Sequence, residues 1–237
     1  LADLKPGDAK EIIQSAAIRP RGAEPFRGAQ EMHIRLDRLP PAALLPEDDL
    51  QRRFDDDEYV ISAAQAPIGP APAPDSALDE YLEGDPFVQT MHPRITRLAN
   101  EITAGRDNTW EKAQLIYEWV YTNIDKTAVL SLPSALDVLQ TKEGDCNEHT
   151  VLYTALARAA GVPTRMAIGV VWSDELGGFY YHAWPEVYAG HWVPVDPTLG
   201  QPIADATHLK LLEGSIEQWP RLTPYLGQLD IEVLDVR

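Results

Sequence analysis

The stretch Gly144-Asp145-Cys146-Asn147-Glu148-His149 constrains this chain more than any other, because it holds the only cysteine among 237 residues. Apolar residues follow it at helical spacing, which predicts a helix with one buried face. The spacing ends at Gly161 and Pro163, in the order typical of a helix C-terminus. We therefore predict that Asp145 caps a helix and that Cys146 lies in its first turn. The residues of the buried stripe are Val151, Leu152, Ala155, Leu156 and Ala159.

The predicted position of Cys146 has a chemical consequence. Unpaired backbone N–H groups and the positive end of the helix dipole favour a thiolate and lower its pKa. The same N–H groups can bind the oxyanion of an acyl-transfer reaction. A lone cysteine is also often a buried, inert apolar residue, so the position needs a base nearby to indicate catalysis.

His182 could serve Cys146 as base and Asp196 as orienting carboxylate. Both residues lie in a predicted β-hairpin. A two-residue turn at Ala189-Gly190 would place Asp196 opposite Ala183, on the wrong face. A three-residue turn, Tyr188-Ala189-Gly190, places Asp196 directly opposite His182, with Cβ atoms roughly 4.5–5.5 Å apart. A Cys-His-Asp triad requires the three-residue turn.

Three motifs together resemble the bacterial branch of the transglutaminase-like superfamily, which is related to papain-like cysteine proteases. They are Gly144-Asp145-Cys146-x-Glu148-His149, Tyr181-His182-Ala183-Trp184-x-Glu186-Val187-Tyr188, and Trp192-Val193-Pro194-Val195-Asp196-Pro197-Thr198. The resemblance is strongest over residues 134–200 and weaker over 78–237. It implies that Cys146 is the nucleophile, His182 the base and acid, and Asp196 the orienting group.

The order of the elements predicts an α+β fold, because helical segments come first and strands follow with few alternations. With the resemblance, this implies a papain-like core in which a thiol-bearing helix packs on an antiparallel sheet. Residues 1–74 are predicted to be a β-rich region with strands near Met32–Leu36 and Glu58–Ser62. That region ends in the proline-rich linker Pro67–Pro74. Residues 75–237 are predicted to be the catalytic domain.

Five further residues are weighed as site or cleft residues. Gln140 could supply an oxyanion-hole amide, as in papain-like enzymes, although a solvated glutamine is favoured. His149, three residues after Cys146, is expected to make a structural hydrogen bond rather than to act in catalysis. Tyr181 and Trp184 flank His182 and either wall a substrate cleft or pack within the sheet. His208 is expected to be a surface or packing histidine.

The predicted function is cleavage of peptide or carboxamide bonds through an acyl-enzyme, most simply by water, as in a cysteine peptidase or amidase. An amine acceptor in place of water would make the protein a transglutaminase. Two alternatives stay open: a binding module that keeps the fold without the chemistry, and a metal site built from Cys146, His182 and Asp196. No cofactor and no metal are predicted, and activity is expected to be independent of calcium.

The charge and the absence of targeting signals bound the partners and the location. A formal net charge of −17 disfavours nucleic acid and anionic lipid, so a peptide or protein substrate is the expected partner. No apolar run reaches the length of a membrane span, and the sequence contains no signal peptide. A cytoplasmic location is therefore expected, while a periplasmic or secreted one would require a removed targeting segment.

Overall fold

The chain folds into two compact units, and neither of them is one continuous stretch. The computed structural model describes residues 17–38, 45–69, 76–127, 134–214, 218, 221–223, 225 and 227–237. Unit 1 takes Leu1–Ala64, Ala167–His182 and Ala204–Arg237, and unit 2 takes Gln65–Met166 and Ala183–Ile203. The predicted division after residue 74 follows chain order, so it does not coincide with these units. Residues 70–74 of the predicted linker lie outside the described residues.

The chain contains both helices and strands, as the α+β prediction requires, and in chain order most of the helices come between two groups of strands. The helices are α1 (Pro93–Ile102), α2 (Thr109–Asn123), α3 (Ala135–Thr141) and α4 (Cys146–Ala159), with a short 3₁₀ helix at Ser76–Leu82. The strands are β1 (Arg21–Gly22), β2 (Glu31–Asp37), β3 (Gln51–Arg53), β4 (Glu58–Ser62), β5 (Asp125–Lys126), β6 (Glu143–Gly144), β7 (Thr164–Ser173), β8 (Gly178–Tyr188), β9 (Trp192–Pro194), β10 (Leu209–Glu213) and β11 (Asp230–Val236).

Unit 1 contains a five-stranded sheet in the order β1-β11-β2-β4-β3. Strand β2 shows the predicted alternation, since Met32, Ile34 and Leu36 are buried and the residues between them are half-buried. Strand β11 lies between β1 and β2, so the last strand of the chain completes the sheet that the first strands begin. The buried faces of β2, β4 and β11 share one apolar core with Ile168, Phe179 and Leu209.

Unit 2 is organised around helix α4, which packs against α1, α2 and α3. Residues 148–157 of α4 are all buried, because this helix is covered on every side rather than along one stripe. Local capping fixes where the neighbouring helices begin. Asn108 accepts the N–H of Glu111 at the start of α2, and Ser134 accepts the N–H of Asp137 at the start of α3.

A four-stranded sheet has the order β10-β7-β8-β9. The division between the units crosses β7 after Met166 and β8 after His182, so both strands contribute residues to each unit. Within the part of the chain that the structure describes, no helix has the length and apolar character needed to cross a membrane.

Candidate active site

Helix α4 begins at Cys146 and is capped as the sequence predicts. The Asp145 carboxylate accepts the N–H of Asn147 at 2.9 Å, and the Glu148 carboxylate accepts the N–H of Asp145 at 2.9 Å. These two side chains form a reciprocal capping box, which fixes the direction in which the chain enters the helix. The half-buried Cys146 therefore occupies a defined position at the helix N-terminus.

Two contacts join the N-terminal part of α4 to Ala183 in strand β8. The Thr150 hydroxyl, one turn after Cys146, donates to the Ala183 carbonyl at 3.0 Å. The Ala183 N–H makes a hydrogen bond with the Cys146 sulfur. The thiol itself lies 3.6 Å from Asn147 Oδ1 and can donate to it. The sulfur is thus held beside the residue that directly follows His182 in the chain.

The pKa of the Cys146 thiol is raised, which corrects the expectation that the helix N-terminus depresses it. Burial is the main cause, and the negative charges of Asp145 and Asp196 act in the same direction. The Ala183 N–H acts in the opposite direction but does not offset them. The resting thiol is therefore protonated at neutral pH and has to lose its proton as it reacts.

Glu148 is almost fully buried beside Asp145, and this raises its pKa to about 8. Burial is the largest cause, followed by the hydrogen bond to the Asp145 carboxylate and the charge of that group. At neutral pH Glu148 is mostly protonated, so Cys146 faces one nearby carboxylate charge in this capping box rather than two.

We expect Glu148→Gln to make the protein more stable than wild type at pH 8 and to have a smaller effect at pH 5. Folding raises the pKa of Glu148 above its unfolded value, so its stabilising contribution is full below roughly pH 4.3 and is lost as pH rises toward 8. Glutamine keeps the hydrogen bond to the Asp145 N–H but does not ionise. Between pH 5 and 8, the free energy of unfolding should change in favour of the variant by about 2 kcal/mol.

The matched control for this experiment is Glu111→Gln, because Glu111 holds the same third position in α2 but is exposed. Chemical unfolding at several pH values gives both differences. The difference in unfolding free energy between Glu148→Gln and wild type should depend on pH. If it stays constant with pH, or changes with pH as the Glu111→Gln difference does, the assignment of a buried, protonated Glu148 is contradicted.

The hairpin that carries His182 and Asp196 has a three-residue loop, but its register differs from the predicted one. Tyr188 pairs with Trp192, so the loop is Ala189–His191, with Gly190 at a φ of +97°. The predicted loop began one residue earlier, at Tyr188. Because the pairing continues to Val195 and Pro185, Asp196 comes level with Trp184 rather than with His182. The predicted direct pairing is wrong, but residues 182 and 184 share a face of β8, as a triad needs.

Asp196 is completely buried, and a tight turn holds its carboxylate. Oδ1 accepts the N–H groups of Thr198 and Leu199, both at 2.8 Å. The backbone of Asp196 also exchanges two hydrogen bonds with that of Gln201. This turn fixes one carboxylate oxygen and so sets the direction of the other, which an orienting residue requires.

His182 is buried in unit 1, where two rings contact it. The Tyr180 ring, two residues earlier on the same strand, lies 5.7 Å away between centroids, and the His208 ring lies 6.1 Å away. His208 is buried in the turn before β10, as the prediction of a packing histidine allows.

The structure places the four other sequence candidates as follows. Gln140 lies near the end of α3 with an exposed side chain, consistent with the solvated glutamine that the sequence favours. His149 is fully buried with Nδ1 2.7 Å from the Asp145 carbonyl, which is the structural hydrogen bond predicted. The Tyr181 hydroxyl donates to the Tyr225 carbonyl, and Trp184 is buried, so both pack within the protein.

Sequence reasoning missed Glu148, Thr150 and Ala183 as parts of this site. The signal for Glu148 was present, because an acidic residue three positions after an aspartate cap is a capping box. Thr150 and Ala183 carried no local signal, since their hydrogen bond links positions 33 residues apart.

A cavity of about 740 Å³ lies along the outer side of α2, apart from these residues. Trp110, Gln114, Tyr117 and Tyr121 are among the described residues that line it, and none of Cys146, His182 and Asp196 is among them. It therefore offers no argument about the chemistry of the thiol.

Comparisons with solved structures support the fold. Two solved structures share the fold. One is a candidate cysteine protease from Cytophaga hutchinsonii, with a TM-score of 0.54 at 14% identity, covering 93% of this chain and 85% of that one. The other is the periplasmic domain of TgpA from Pseudomonas aeruginosa bound to ethylmercury, with a TM-score of 0.53 at 18% identity, covering 82% and 94%.

Curated relatives match a shorter part of the chain. The uncharacterized protein YebA of Bacillus subtilis is 25% identical over 147 residues, which are 52% of this chain and 20% of that protein. The mouse kyphoscoliosis peptidase is 24% identical over 149 residues, which are 57% of this chain and 22% of that protein. The chain thus spans about a fifth of the length of these relatives. Residues 96–197, which include Cys146, His182 and Asp196, match the transglutaminase-like superfamily.

Proposed function

We propose that this protein is a thiol enzyme that cleaves peptide or carboxamide bonds, with Cys146 as nucleophile, His182 as base and Asp196 as orienting carboxylate. The observation that carries the proposal is the position of the thiol beside Ala183, the residue that follows His182. The Ala183 N–H is close enough to the Cys146 sulfur to lower the pKa of the thiol, and the Ala183 carbonyl accepts from the Thr150 hydroxyl, so the thiol lies beside the residue that follows His182. The same-face positions of residues 182 and 184, with Asp196 level with 184, also support it.

The raised pKa of Cys146 defines how the first step has to proceed. Since the resting thiol is protonated, His182 removes the proton as sulfur attacks the substrate carbonyl carbon, rather than acting on a preformed thiolate. The carbon–nitrogen bond then breaks, and His182 gives its proton to the leaving amine. Water activated by His182 attacks the thioester, which releases the acid and returns the thiol.

We infer hydrolysis rather than transfer to an amine, because hydrolysis needs no second substrate site. The curated mouse relative is named a peptidase, and one structural neighbour is described as a candidate cysteine protease, which supports the same inference. Transfer of the acyl group to an amine uses the same intermediate, so the two activities have to be separated by experiment.

The test is a library of peptides and glutamine-containing peptides, incubated with wild type and with Cys146→Ala, with and without a primary amine. Mass spectrometry distinguishes a free acid from an amide formed with the added amine. Acid products that need Cys146, with no amine adduct, are the expected result. Adducts that exceed acid would favour a transglutaminase, and identical products from both proteins would overturn the thiol mechanism.

We expect activity in a chelator to match activity in millimolar calcium. Calcium needs several free oxygen ligands, and some carboxylates of the acidic runs Glu47–Asp49 and Asp55–Glu58 already have cationic partners. Asp48 binds the Lys210 ammonium at 2.6 Å, and Glu58 binds the Arg35 guanidinium at 2.6 Å.

Initial rates measured in EDTA and in added calcium check this expectation, and they should agree within about twofold if no calcium site controls the thiol. A many-fold stimulation by calcium would show the prediction to be wrong. An alkylation rate of Cys146 that rises only after chelation would instead favour the alternative of a metal-bound thiol.

A further inference from the structure

His208 makes an edge-to-face contact with His182 within unit 1. The two ring centroids are 6.1 Å apart, and the planes are inclined by 62°. His208 is only 5% exposed, so it is held in this position by the protein interior. Such a contact fixes the plane of the His182 ring, which is the property a general base needs.

A buried carboxylate holds His208 from the other side. His208 Nδ1 lies 3.1 Å from the Asp205 carbonyl oxygen and 3.4 Å from Asp205 Oδ1. The carboxylate is itself fixed by the Thr207 hydroxyl at 2.6 Å and by the Gly28 N–H at 2.8 Å. Asp205 therefore sets both the position of His208 and the nitrogen that carries its proton.

The Asp205 carboxylate is ionised although it is buried. Burial alone would raise its pKa, but the hydrogen bond to His208, the charge of that ring, and the donors on Thr207 and Gly28 hold the pKa well below its ordinary value. A buried carboxylate costs free energy, and an apolar turn could lead into β10 without it. The contact of His208 with His182 therefore offers a functional reason for the Asp205–His208 pair.

We propose that His208, oriented by Asp205, is a positioning residue for His182. The proposal rests on the proposed function only in taking His182 as the base. The ring contact sets the orientation of His182. The His208 ring, paired with the Asp205 carboxylate, also places a positive charge beside the His182 ring.

Other titratable groups are kept constant in the test. Tyr180 contacts His182 from the same strand. His208 contacts it from the turn before β10, and Asp205 in turn contacts His208. Cys146 and Asp196, its partners in the proposed triad, are unchanged in every variant.

The experiment is a titration of the histidine Cε1–H signals by NMR in the full chain. Six histidines contribute signals, and the signal lost in His182→Gln identifies that of His182. The variants compared with wild type are His208→Gln and the control His33→Gln. His33 is also a histidine of unit 1 beside a carboxylate, since its Nε2 lies 3.0 Å from Glu58, but its ring contacts Phe54 instead.

In His208→Gln the titration midpoint of His182 should rise by about half a pH unit or more, because a neighbouring positive charge is lost. Where an assay substrate is found, kcat should fall about tenfold with KM nearly unchanged, since positioning acts on the reacting geometry. His33→Gln should leave both measurements at their wild-type values.

An unchanged His182 midpoint in His208→Gln would overturn the proposal, whatever the activity. If that variant does not fold, Asp205→Asn serves instead, because it keeps His208 and removes only the carboxylate charge. There too, a rise supports the proposal and no change overturns it. If the His182 midpoint shifts but turnover does not depend on the thiol, the positioning of His182 by His208 is supported and the proposed function is contradicted. Failure of the positioning proposal and failure of the proposed function are therefore distinguishable.

Discussion

Replacement of Cys146 by alanine is expected to abolish turnover while the protein stays folded. The sulfur is the only atom that attacks the carbonyl in the proposed mechanism, and removal of a catalytic nucleophile typically lowers kcat by about 10⁴-fold or more. The substitution removes one atom from a half-buried site and keeps the capping box, because Asp145 and Glu148 are untouched. The free energy of unfolding should therefore change by only about 1 kcal/mol.

Turnover of the best peptide from the library, measured with both proteins at equal concentration, checks this expectation. Thermal unfolding of the same samples separates a lost nucleophile from a lost fold. Asn147→Ala is a useful control, because Asn147 is the neighbour that can accept from the thiol but has no covalent role. Turnover by Cys146→Ala at the wild-type rate would be fatal to the mechanism.

Replacement of Gly144 by alanine should have the second largest effect, because no space exists for a Cβ atom at this position. An added Cβ would overlap Cβ and Cγ of Glu148 in the first turn of α4. The backbone of Gly144 cannot easily retreat, since it pairs with Lys126 in β5 and its carbonyl accepts the Thr127 N–H at 3.0 Å. The start of α4, with Cys146, has to move instead.

We expect Gly144→Ala to lower the free energy of unfolding by about 2–3 kcal/mol, as overpacking typically does. It should also lower kcat by about 100-fold, because displacement of a nucleophile by about 1 Å is enough for such a loss. Glu143→Ala is the matched control, since Glu143 is the other residue of β6 and its side chain is exposed. Equal effects of the two substitutions, on stability and on rate, would contradict the steric argument.

The parts of the site that local sequence determines could be predicted. Asp145 caps α4 because its carboxylate needs only the N–H groups of the next turn, and Asn108 caps α2 in the same way. Strand alternation at Met32, Ile34 and Leu36 likewise follows from side chains on a single strand. The motifs around Cys146, His182 and Asp196 are also local sequence patterns, and the resemblance that they carry is confirmed by the family match over residues 96–197.

The parts that depend on tertiary structure could not be predicted. The pKa of Cys146 is set by burial, and burial comes from elements that the motif does not contain. The hairpin register depends on which residue occupies the first loop position. Gly190, with its positive φ, is compatible both with the predicted loop Tyr188–Gly190 and with the observed loop Ala189–His191. The contact of His208 with His182 joins positions 26 residues apart, so no local pattern announces it.

The position of β11 inside the sheet of unit 1 has a consequence for how the protein is made. Strands β1 and β2 are synthesised long before the strand at Asp230–Val236, which they flank in the sheet. Unit 1 therefore cannot complete its sheet until almost the whole of this sequence has been synthesised, whereas the residues of unit 2 end at Ile203. Pairing across such sequence separations is slow, because chain entropy is lost before the contacts form. During that interval the edges of β1 and β2 are unpaired, and the nascent chain is most exposed to aggregation and to chaperones.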